Sequence, residues 1–192
     1  MKDQRITDHE AALALDREKA LRLMSVSRET EAKLELYVGL LQRWQKIKNL
    51  VGPQTLPVIW TRHMADSAQL AAFVPDTARV LVDIGSGAGF PGLVLAVLFA
   101  NRPGFQAHLI ESNGRKAAFL REVARTLALP VSVHDVRIED ARAHLPEQID
   151  VLTARALAPL SDLLTMRQKL TQNPCRMLFL KGQDVDAELT GA

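Results

Sequence analysis

The stretch Val80-Leu-Val-Asp-Ile-Gly-Ser-Gly-Ala-Gly-Phe-Pro-Gly92 decides the fold of this chain. Its first five residues are apolar except for Asp83, four glycines follow within eight positions, and a second apolar run begins at Leu93. This order is typical of a buried parallel strand that feeds through a tight turn into a helix. Glycine allows the turn to adopt positive φ angles and lets a ligand approach the backbone, and the helix start offers unpaired N–H groups. The stretch therefore predicts a ligand-binding loop.

Two kinds of ligand fit this loop. Gly87-Ala-Gly-Phe-Pro-Gly92 matches the dinucleotide pattern G-x-G-x-x-G, and Glu111 follows at about the ~20-residue offset of a ribose-binding acid. In the other register the turn begins at Gly85, directly after the strand, with Asp83 two residues before it. That register resembles motif I of methyltransferases that use S-adenosylmethionine (SAM). We favour SAM because the strand ends at Ile84 and because a nearby acid suits a sulfonium cation better than a pyrophosphate.

Composition predicts one soluble globular unit in 192 residues, which we divide into a helical extension (1–75) and a core (76–192). The net charge of +2 is compatible with nucleic acid but does not demand it. The single cysteine, Cys175, precludes an internal disulfide and fits a reducing cytoplasm. We find no signal peptide and no apolar stretch of about 20 residues, so we expect a cytoplasmic protein without a membrane span.

The apolar period changes along the chain. Thr7-Asp-His-Glu10 predicts a capped helix through about Met24, and Ser25 or Ser27 a second helix that ends before Gly52-Pro53. A mostly helical stretch is expected over 55–73. Strands and helices then alternate, which predicts an α/β, Rossmann-like fold with a mostly parallel sheet and helices on both faces. The predicted strands are 79–84, 106–111, 131–134, 149–154 and 175–181, and the predicted helices are 90–100, 114–128, 138–145 and 159–170.

Along nearly its whole length the chain resembles the bacterial small-subunit ribosomal RNA methyltransferase G family, also called glucose-inhibited division protein B. The residues that carry the resemblance are Lys48-Asn-Leu50, Arg62-His63 with Asp66-Ser67, 82–92, Glu111-Ser112, Arg115-Lys116, Phe119-Leu120, Arg137-Ile-Glu139, Arg155-Ala156 and Leu180-Lys-Gly182. The resemblance implies SAM-dependent methylation of N7 of one guanine in 16S ribosomal RNA, alone or within the small ribosomal subunit. The family continues with a further helix and two strands, so the final strands are expected to be missing here.

The resemblance also implies a cofactor site at the carboxyl ends of the strands. Gly85 and Gly87 would face the methionine and ribose parts and Glu111 the ribose hydroxyls, and Phe90 would pack near the cofactor at the start of the helix. Two assignments have alternatives from the residues alone. Ile138 and Glu139 either hold adenine or only open an amphipathic helix. Arg155 belongs to the cofactor site by resemblance, or it forms a structural ion pair with Asp83 or Glu139. The implied cofactor-binding residues are Gly85, Gly87, Phe90, Glu111, Ile138, Glu139 and Arg155.

Contacts to RNA phosphates are expected from a set of basic residues, each of which is also explained by a solvated or helix-capping charge. The candidates are Lys48, Arg62, His63, Arg115, Lys116 and Lys181. Guanine N7 carries no proton, so no general base is required and no catalytic residue is assigned. The five histidines are scattered in the sequence, and no metal is expected. We expect a monomer. A NAD-binding oxidoreductase and a non-catalytic RNA-binding module remain as alternative functions.

Overall fold

The computed structural model describes residues 2–47 and 49–181, and the side chains of the first helix from Ala11 onward. Lys48, one of the proposed RNA contacts, lies outside these residues. The chain begins with helix α1 (Lys2–Met24), which starts five residues before the predicted Thr7, and helix α2 (Arg28–Gln45). Ser27 caps α2 as predicted, because its hydroxyl accepts a hydrogen bond of 3.2 Å from the Thr30 N–H.

The stretch predicted to be helical over 55–73 is not one helix. It consists of a 3-10 helix (Pro53–Val58), a π-helical turn (Trp60–Ala65), the short helix α3 (Asp66–Ala68) and a second 3-10 helix (Gln69–Phe73). We call residues 53–73 the turn segment. Asp16 of α1 holds its middle, because its carboxylate accepts hydrogen bonds from the Trp60 N–H (2.8 Å) and the Thr61 N–H (3.2 Å). A side chain from another helix therefore supports this irregular backbone.

The second part of the chain alternates strands and helices as expected. The strands are β1 (Val80–Ile84), β2 (Gln106–Ile110), β3 (Val131–His134), β4 (Val151–Arg155) and β5 (Arg176–Leu180). Between them lie α4 (Gly92–Leu98), α5 (Gly114–Thr126), a 3-10 helix (Ile138–His144) and α6 (Leu160–Leu170). All neighbouring strands are parallel, in the order β3-β2-β1-β4-β5. The predicted Rossmann-like α/β fold is confirmed, and β1 lies at its centre.

Successive residues of β1 face opposite sides of the sheet, as the period of a strand requires. Leu81 belongs to the core cluster that contains α2, α4 and α5, whereas Val82 belongs to the cluster that contains the 3-10 helix 138–144 and α6. Helices therefore cover both faces. The core cluster that contains Leu81 also includes residues of α2 and of the turn segment, such as Trp60. These helical elements pack against α4 and α5 on that side of the sheet. No helix in the described residues is long and apolar enough to cross a membrane.

Candidate cofactor site

The loop after β1 has the backbone conformation that its glycines predict. Gly85, Gly87 and Gly89 have φ angles of 63°, 57° and 95°, which side-chain-bearing residues rarely adopt. A Cβ atom on Gly89 would lie 2.5 Å from the Tyr37 hydroxyl oxygen and 2.4 Å from Leu93 Cδ1. A Cβ atom on Gly87, in contrast, would meet nothing closer than 3.8 Å. The loop is thus packed tightly on its Gly89 side and open at Gly87.

A cleft of about 390 Å³ lies at the carboxyl ends of β1, β2 and β4. In open α/β sheets this edge, at the point where the strand order reverses, is where ligands bind. Residues from five separate segments meet there. The lining includes six of the seven predicted cofactor-binding residues: Gly85, Gly87, Glu111, Ile138, Glu139 and Arg155.

Glu111 joins the end of β2 to the loop. One carboxylate oxygen accepts a hydrogen bond from the Gly87 N–H and the other accepts one from the Asn113 N–H, both at 2.8 Å. The side chain is buried, with 8% of its surface exposed. Each carboxylate oxygen has a second lone pair, so the group can accept further hydrogen bonds from a ligand.

Arg155 lies at the end of β4 and is tied to the turn segment. Its Nη2 atom is 3.3 Å from Asp66 Oδ2 and donates a 2.8 Å hydrogen bond to the Arg62 carbonyl oxygen. The alternative ion pair with Asp83 or Glu139 is therefore wrong, because Asp66 is the acid that reaches the guanidinium group. Burial lowers the pKa of Arg155, and the charge of Asp66 opposes that effect. Its Nη1 atom is buried without a hydrogen-bond partner, so it can still bind an anionic group.

Asp83 is fully buried and does not line the cleft. Its Oδ1 atom accepts a 2.7 Å hydrogen bond from the Thr153 hydroxyl group, which links β1 to β4. Burial raises the pKa of Asp83 to about 6, against the opposing effect of that hydrogen bond. The acid that helped us to choose between loop registers therefore acts at the strand–helix junction and has no direct contact with the cleft.

Phe90 also lies outside the cleft lining, in a stack of aromatic rings. Its ring centroid is 5.5 Å from that of Tyr37 and 4.8 Å from that of His63, and both pairs are stacked. The His63 Nε2 atom lies 3.0 Å from the Thr55 hydroxyl oxygen. Burial lowers the pKa of His63 to about 4, and the charges of Arg155 and Arg62 add to the effect. The imidazole is therefore neutral at physiological pH.

The remaining basic candidates are distributed around the cleft. Lys116 contributes to its lining, and Arg115 is exposed beside it at the start of α5. Arg62 is exposed on the turn segment. Lys181 lies after β5, and its Nζ atom donates a 2.6 Å hydrogen bond to the Ala158 carbonyl oxygen. The fold thus brings Lys116 and Arg155 together at the cleft, while Lys181 is at least partly engaged in the loop after β4.

Three of the histidines that are scattered in the sequence are neighbours in the fold. The His108 Nδ1 and His134 Nε2 atoms are 3.0 Å apart, and the His134 and His144 ring centroids are 6.0 Å apart. Burial lowers the pKa of His108 to about 4. Among residues 2–47 and 49–181, no group of three or more His, Cys, Asp or Glu side chains is arranged to hold a metal ion.

A larger cavity of about 700 Å³ lies elsewhere, between the α1–α2 turn and the turn segment. Its lining is mostly apolar and includes Leu23, Val26 and Ala68. Ser25, Thr61, Asp66 and Gln69 also line it, but none of the predicted site residues does. The smaller cleft at the strand ends is therefore the candidate functional site.

The strand order and the position of the cleft define a Rossmann-like α/β protein with a ligand cleft at the point where the strand order reverses. The fold is similar to that of a precorrin 8W decarboxylase from Methanobacterium thermoautotrophicum, with a TM-score of 0.50 and 17% identity over 66% of this chain and 67% of that one. It is equally similar to the StiE O-MT domain, with a TM-score of 0.50 and 16% identity over 67% of this chain and 46% of that one.

The particular family follows from the sequence comparisons. The family described as "GidB: rRNA small subunit methyltransferase G" matches residues 30–192, and this chain belongs to it. The chain is similar to the protein named ribosomal RNA small subunit methyltransferase G of Bradyrhizobium sp., with 51% identity over 93% of this chain and 80% of the relative. It is also similar to the proteins of the same name from Bradyrhizobium diazoefficiens (50% identity over 95% of this chain and 70% of the relative) and Parvibaculum lavamentivorans (52% identity over 92% of this chain and 77% of the relative). The predicted family, the methyltransferase class and the SAM dependence of that class are confirmed.

Proposed function

We propose that this chain carries out the activity of its family, SAM-dependent methylation of guanine N7 in 16S ribosomal RNA, with SAM bound in the strand-end cleft. The observation that carries the proposal is the convergence of the open Gly87 backbone, the Glu111 carboxylate and the Arg155 guanidinium group on that cleft. SAM carries a carboxylate, two ribose hydroxyls and an adenine. The lining offers a complementary group for each of these parts.

Different residues of the lining bind different parts of SAM. Glu111 accepts hydrogen bonds from the ribose hydroxyls with the lone pairs that the Gly87 and Asn113 N–H groups leave free. Arg155 pairs with the carboxylate through its unpartnered Nη1 atom. Ile138 and Glu139, which open the 3-10 helix after β3, contact the adenine with an apolar surface and a carboxylate.

Gly85 and Gly87 allow the backbone to approach the methionine and ribose parts. Phe90 acts indirectly, because it packs behind the loop against Tyr37 and His63. This role, support of the loop from outside the cleft, replaces the predicted packing of Phe90 near the cofactor.

The chemistry places few demands on acid–base groups. SAM supplies an electrophilic methyl group, and guanine N7 attacks it with a ring lone pair that carries no proton. The protein therefore has to align the two reactants and exclude water, which are effects of position and electrostatics. His63 of the turn segment is neutral and lies within hydrogen-bond distance of Thr55, which agrees with a reaction that needs no general base.

RNA binding is assigned to the rim of the cleft. Arg62 is exposed on the turn segment, and Lys116 and Arg115 lie at the start of α5. Together with His63, Lys48 and Lys181 they form the proposed set of RNA contacts, so the helical part (1–75) and the core (76–192) would share the substrate. The chain would act in the cytoplasm as a monomer on 16S ribosomal RNA or the small ribosomal subunit. Affinity that rests on phosphate contacts decreases with salt concentration.

The test is methyl transfer from labelled SAM to small ribosomal subunits that lack the modification, with naked 16S ribosomal RNA in parallel. Digestion to nucleosides identifies the product. We expect 7-methylguanosine at one site, strong loss of label with Arg155→Ala, and wild-type activity with Arg125→Ala. Arg125 is the matched control because it is exposed, lies outside the cleft lining and pairs with Glu122 in α5.

Three outcomes would contradict the proposal. Label in another nucleoside would refute the N7 assignment, and RNA binding without label at saturating SAM would indicate a non-catalytic RNA-binding module. Tight NAD binding without SAM binding would indicate an oxidoreductase.

A further inference from the structure

The loop that borders the cofactor cleft is held from behind by one residue of α2. Tyr37 has no exposed surface and is the only tyrosine of the chain. Its hydroxyl group donates a hydrogen bond to the Ala88 carbonyl oxygen, between Gly87 and Gly89. Its ring stacks on Phe90, which lies two residues after Ala88 in the loop. Tyr37 thus contacts the loop through both its polar and its apolar part.

The loop is shaped around this contact. A Cβ atom on Gly89 would lie 2.5 Å from the Tyr37 hydroxyl oxygen, so any side chain at position 89 would displace the tyrosine. The Ala88 carbonyl group is buried with its residue and needs a partner, because an unpaired buried carbonyl is costly. The tyrosine hydroxyl group supplies that partner.

The two faces of the loop therefore have different partners. On the cleft side the Gly87 N–H donates to Glu111, and on the opposite side the Ala88 carbonyl oxygen accepts from Tyr37. These two contacts fix the Ser86–Gly87 and Ala88–Gly89 peptide groups of the loop, one from the end of β2 and the other from α2. Burial raises the pKa of the Tyr37 hydroxyl well above its ordinary value, so the group remains a donor at any physiological pH.

We propose that Tyr37 is a positioning residue for SAM binding. It holds the glycine-rich loop in its cofactor-binding conformation from the side opposite the cleft. The proposal rests on the assignment of the strand-end cleft to SAM. It gives the helical part of the chain a role in cofactor binding that is separate from any contact with RNA. Since the hydroxyl touches neither cofactor nor substrate, its loss should change the affinity for SAM and leave the methyl-transfer step largely unaffected.

The experiment compares Tyr37→Phe, which removes only the hydroxyl group, with Leu34→Val. Leu34 is the matched control because it is also fully buried on α2 but is not among the residues that contact the loop through a hydrogen bond or ring stack. For Tyr37→Phe we expect the Kd and KM for SAM to rise about fivefold, the effect of one typical net hydrogen bond, with kcat changed less than about twofold. Leu34→Val should bind SAM like the wild type.

Hydrogen exchange separates local positioning from general destabilisation. In Tyr37→Phe without SAM, the Gly87 and Gly89 amides should exchange faster, while amides of β2 such as Leu109 keep their wild-type rates. Unchanged SAM affinity, unchanged loop exchange, or an equal loss of affinity in Leu34→Val would overturn the proposal. Arg155→Ala is measured beside them: if the wild type binds SAM and Arg155→Ala does not weaken binding, the assignment of the cleft itself fails.

Discussion

The glycine-rich loop (85–92) borders the cleft and the turn segment (53–73) contacts Arg155 of its lining, but different forces hold the two regions. The loop depends on backbone geometry, because three glycines have positive φ angles, and an added Cβ atom on Gly85 or Gly89 would lie within 2.5 Å of a neighbouring side chain. The turn segment contains no glycine and depends on side chains from elsewhere. Asp16 binds its backbone N–H groups, and Arg155 joins it to the end of β4.

This difference explains how each region tolerates change. A substitution within the loop changes the backbone conformation itself and should impair both folding and cofactor binding. Substitution around the turn segment removes one side-chain contact at a time, so its effects should be smaller and separable. Four predictions test this contrast, from the largest expected effect to the smallest.

Gly89→Val should have the largest effect. The substitution forces a β-branched residue to a φ of 95° and a Cβ atom into Tyr37 and Leu93. Strain and overpacking together should reduce the free energy of unfolding by on the order of 4 kcal/mol and abolish SAM binding. Chemical denaturation and a SAM titration measure both quantities.

Gly39→Ala is the control for that loss. A Cβ atom on Gly39, inside α2, meets nothing within 4 Å. The substitution should therefore stabilise the protein by about 0.5–1 kcal/mol through helix propensity. If Gly89→Val were tolerated as well as Gly39→Ala, backbone geometry would not be what holds the loop.

His63 should make the turn segment sensitive to acid. Its pKa is lowered from 6.5 to about 4 in the folded protein, so the unfolded chain binds more protons between these values. The stability that this difference provides is complete above about pH 6.5 and is lost as the pH falls towards 4. It amounts to at most about 3 kcal/mol, less an allowance for the partly exposed ring.

Unfolding experiments between pH 4 and pH 8 test this effect. His63→Gln should flatten the dependence on pH but not remove it, because the pKa of His108 is lowered to about 4 as well. His108→Gln gives the complementary measurement outside the turn segment. Equal slopes for the wild type and His63→Gln would refute the prediction.

Asp16→Ala should weaken the turn segment without altering the loop. The loss of hydrogen bonds to two backbone N–H groups should reduce the free energy of unfolding by about 2 kcal/mol, as the loss of a helix cap does. The Kd for SAM should change less than about threefold, because Tyr37 and Glu111 still hold the loop. Glu18→Ala is the control, since Glu18 is exposed and pairs only with Arg22. A loss of SAM affinity as large as that of Gly89→Val would contradict the contrast between the two regions.

The ion pair between Arg155 and Asp66 should give the smallest effect. The two side chains are 14% and 32% exposed, so solvent screens their attraction. A double-mutant cycle with Arg155→Ala and Asp66→Asn should yield a coupling free energy of about 1 kcal/mol. Arg155→Ala should also weaken SAM binding more than Asp66→Asn does, because only the arginine lines the cleft. No coupling between the two substitutions would mean that Arg155 is positioned by the Arg62 carbonyl oxygen alone.

Much of the core was predictable from the sequence because local patterns determine it. All five strands were predicted to within about two residues, since short apolar runs bounded by glycine or proline are local features. The N-terminal part was harder. The first helix begins at Lys2 and not at Thr7, and the stretch over 55–73 contains proline and a π-helical turn that no apolar period indicates. Its conformation depends on Asp16, about 45 residues away in the sequence.

Some residues of the site were predictable from the sequence and others were not, for the same reason. Six predicted residues line the cleft and lie at or soon after strand ends; the family resemblance named them, and the strand prediction placed them at one edge of the sheet. The acid that reaches Arg155 was predicted incorrectly, because Asp66 is 89 residues distant and belongs to an irregular turn. Tyr37 was missed altogether. On the apolar face of α2 it has the spacing of an ordinary core residue, and only its hydrogen bond to the loop distinguishes it.

The strand order has a consequence for the sequence of events in folding. Strands β1 to β3 are joined by short crossovers and form one half of the sheet, whereas β4 pairs with β1 across about 70 residues of chain. Glu111 comes from the first half and Arg155 from the second. A nascent or partly unfolded chain that has assembled only β1 to β3 therefore lacks a complete cleft. With SAM in this cleft, as proposed, its binding would select molecules in which both halves have joined and would stabilise that joining by mass action.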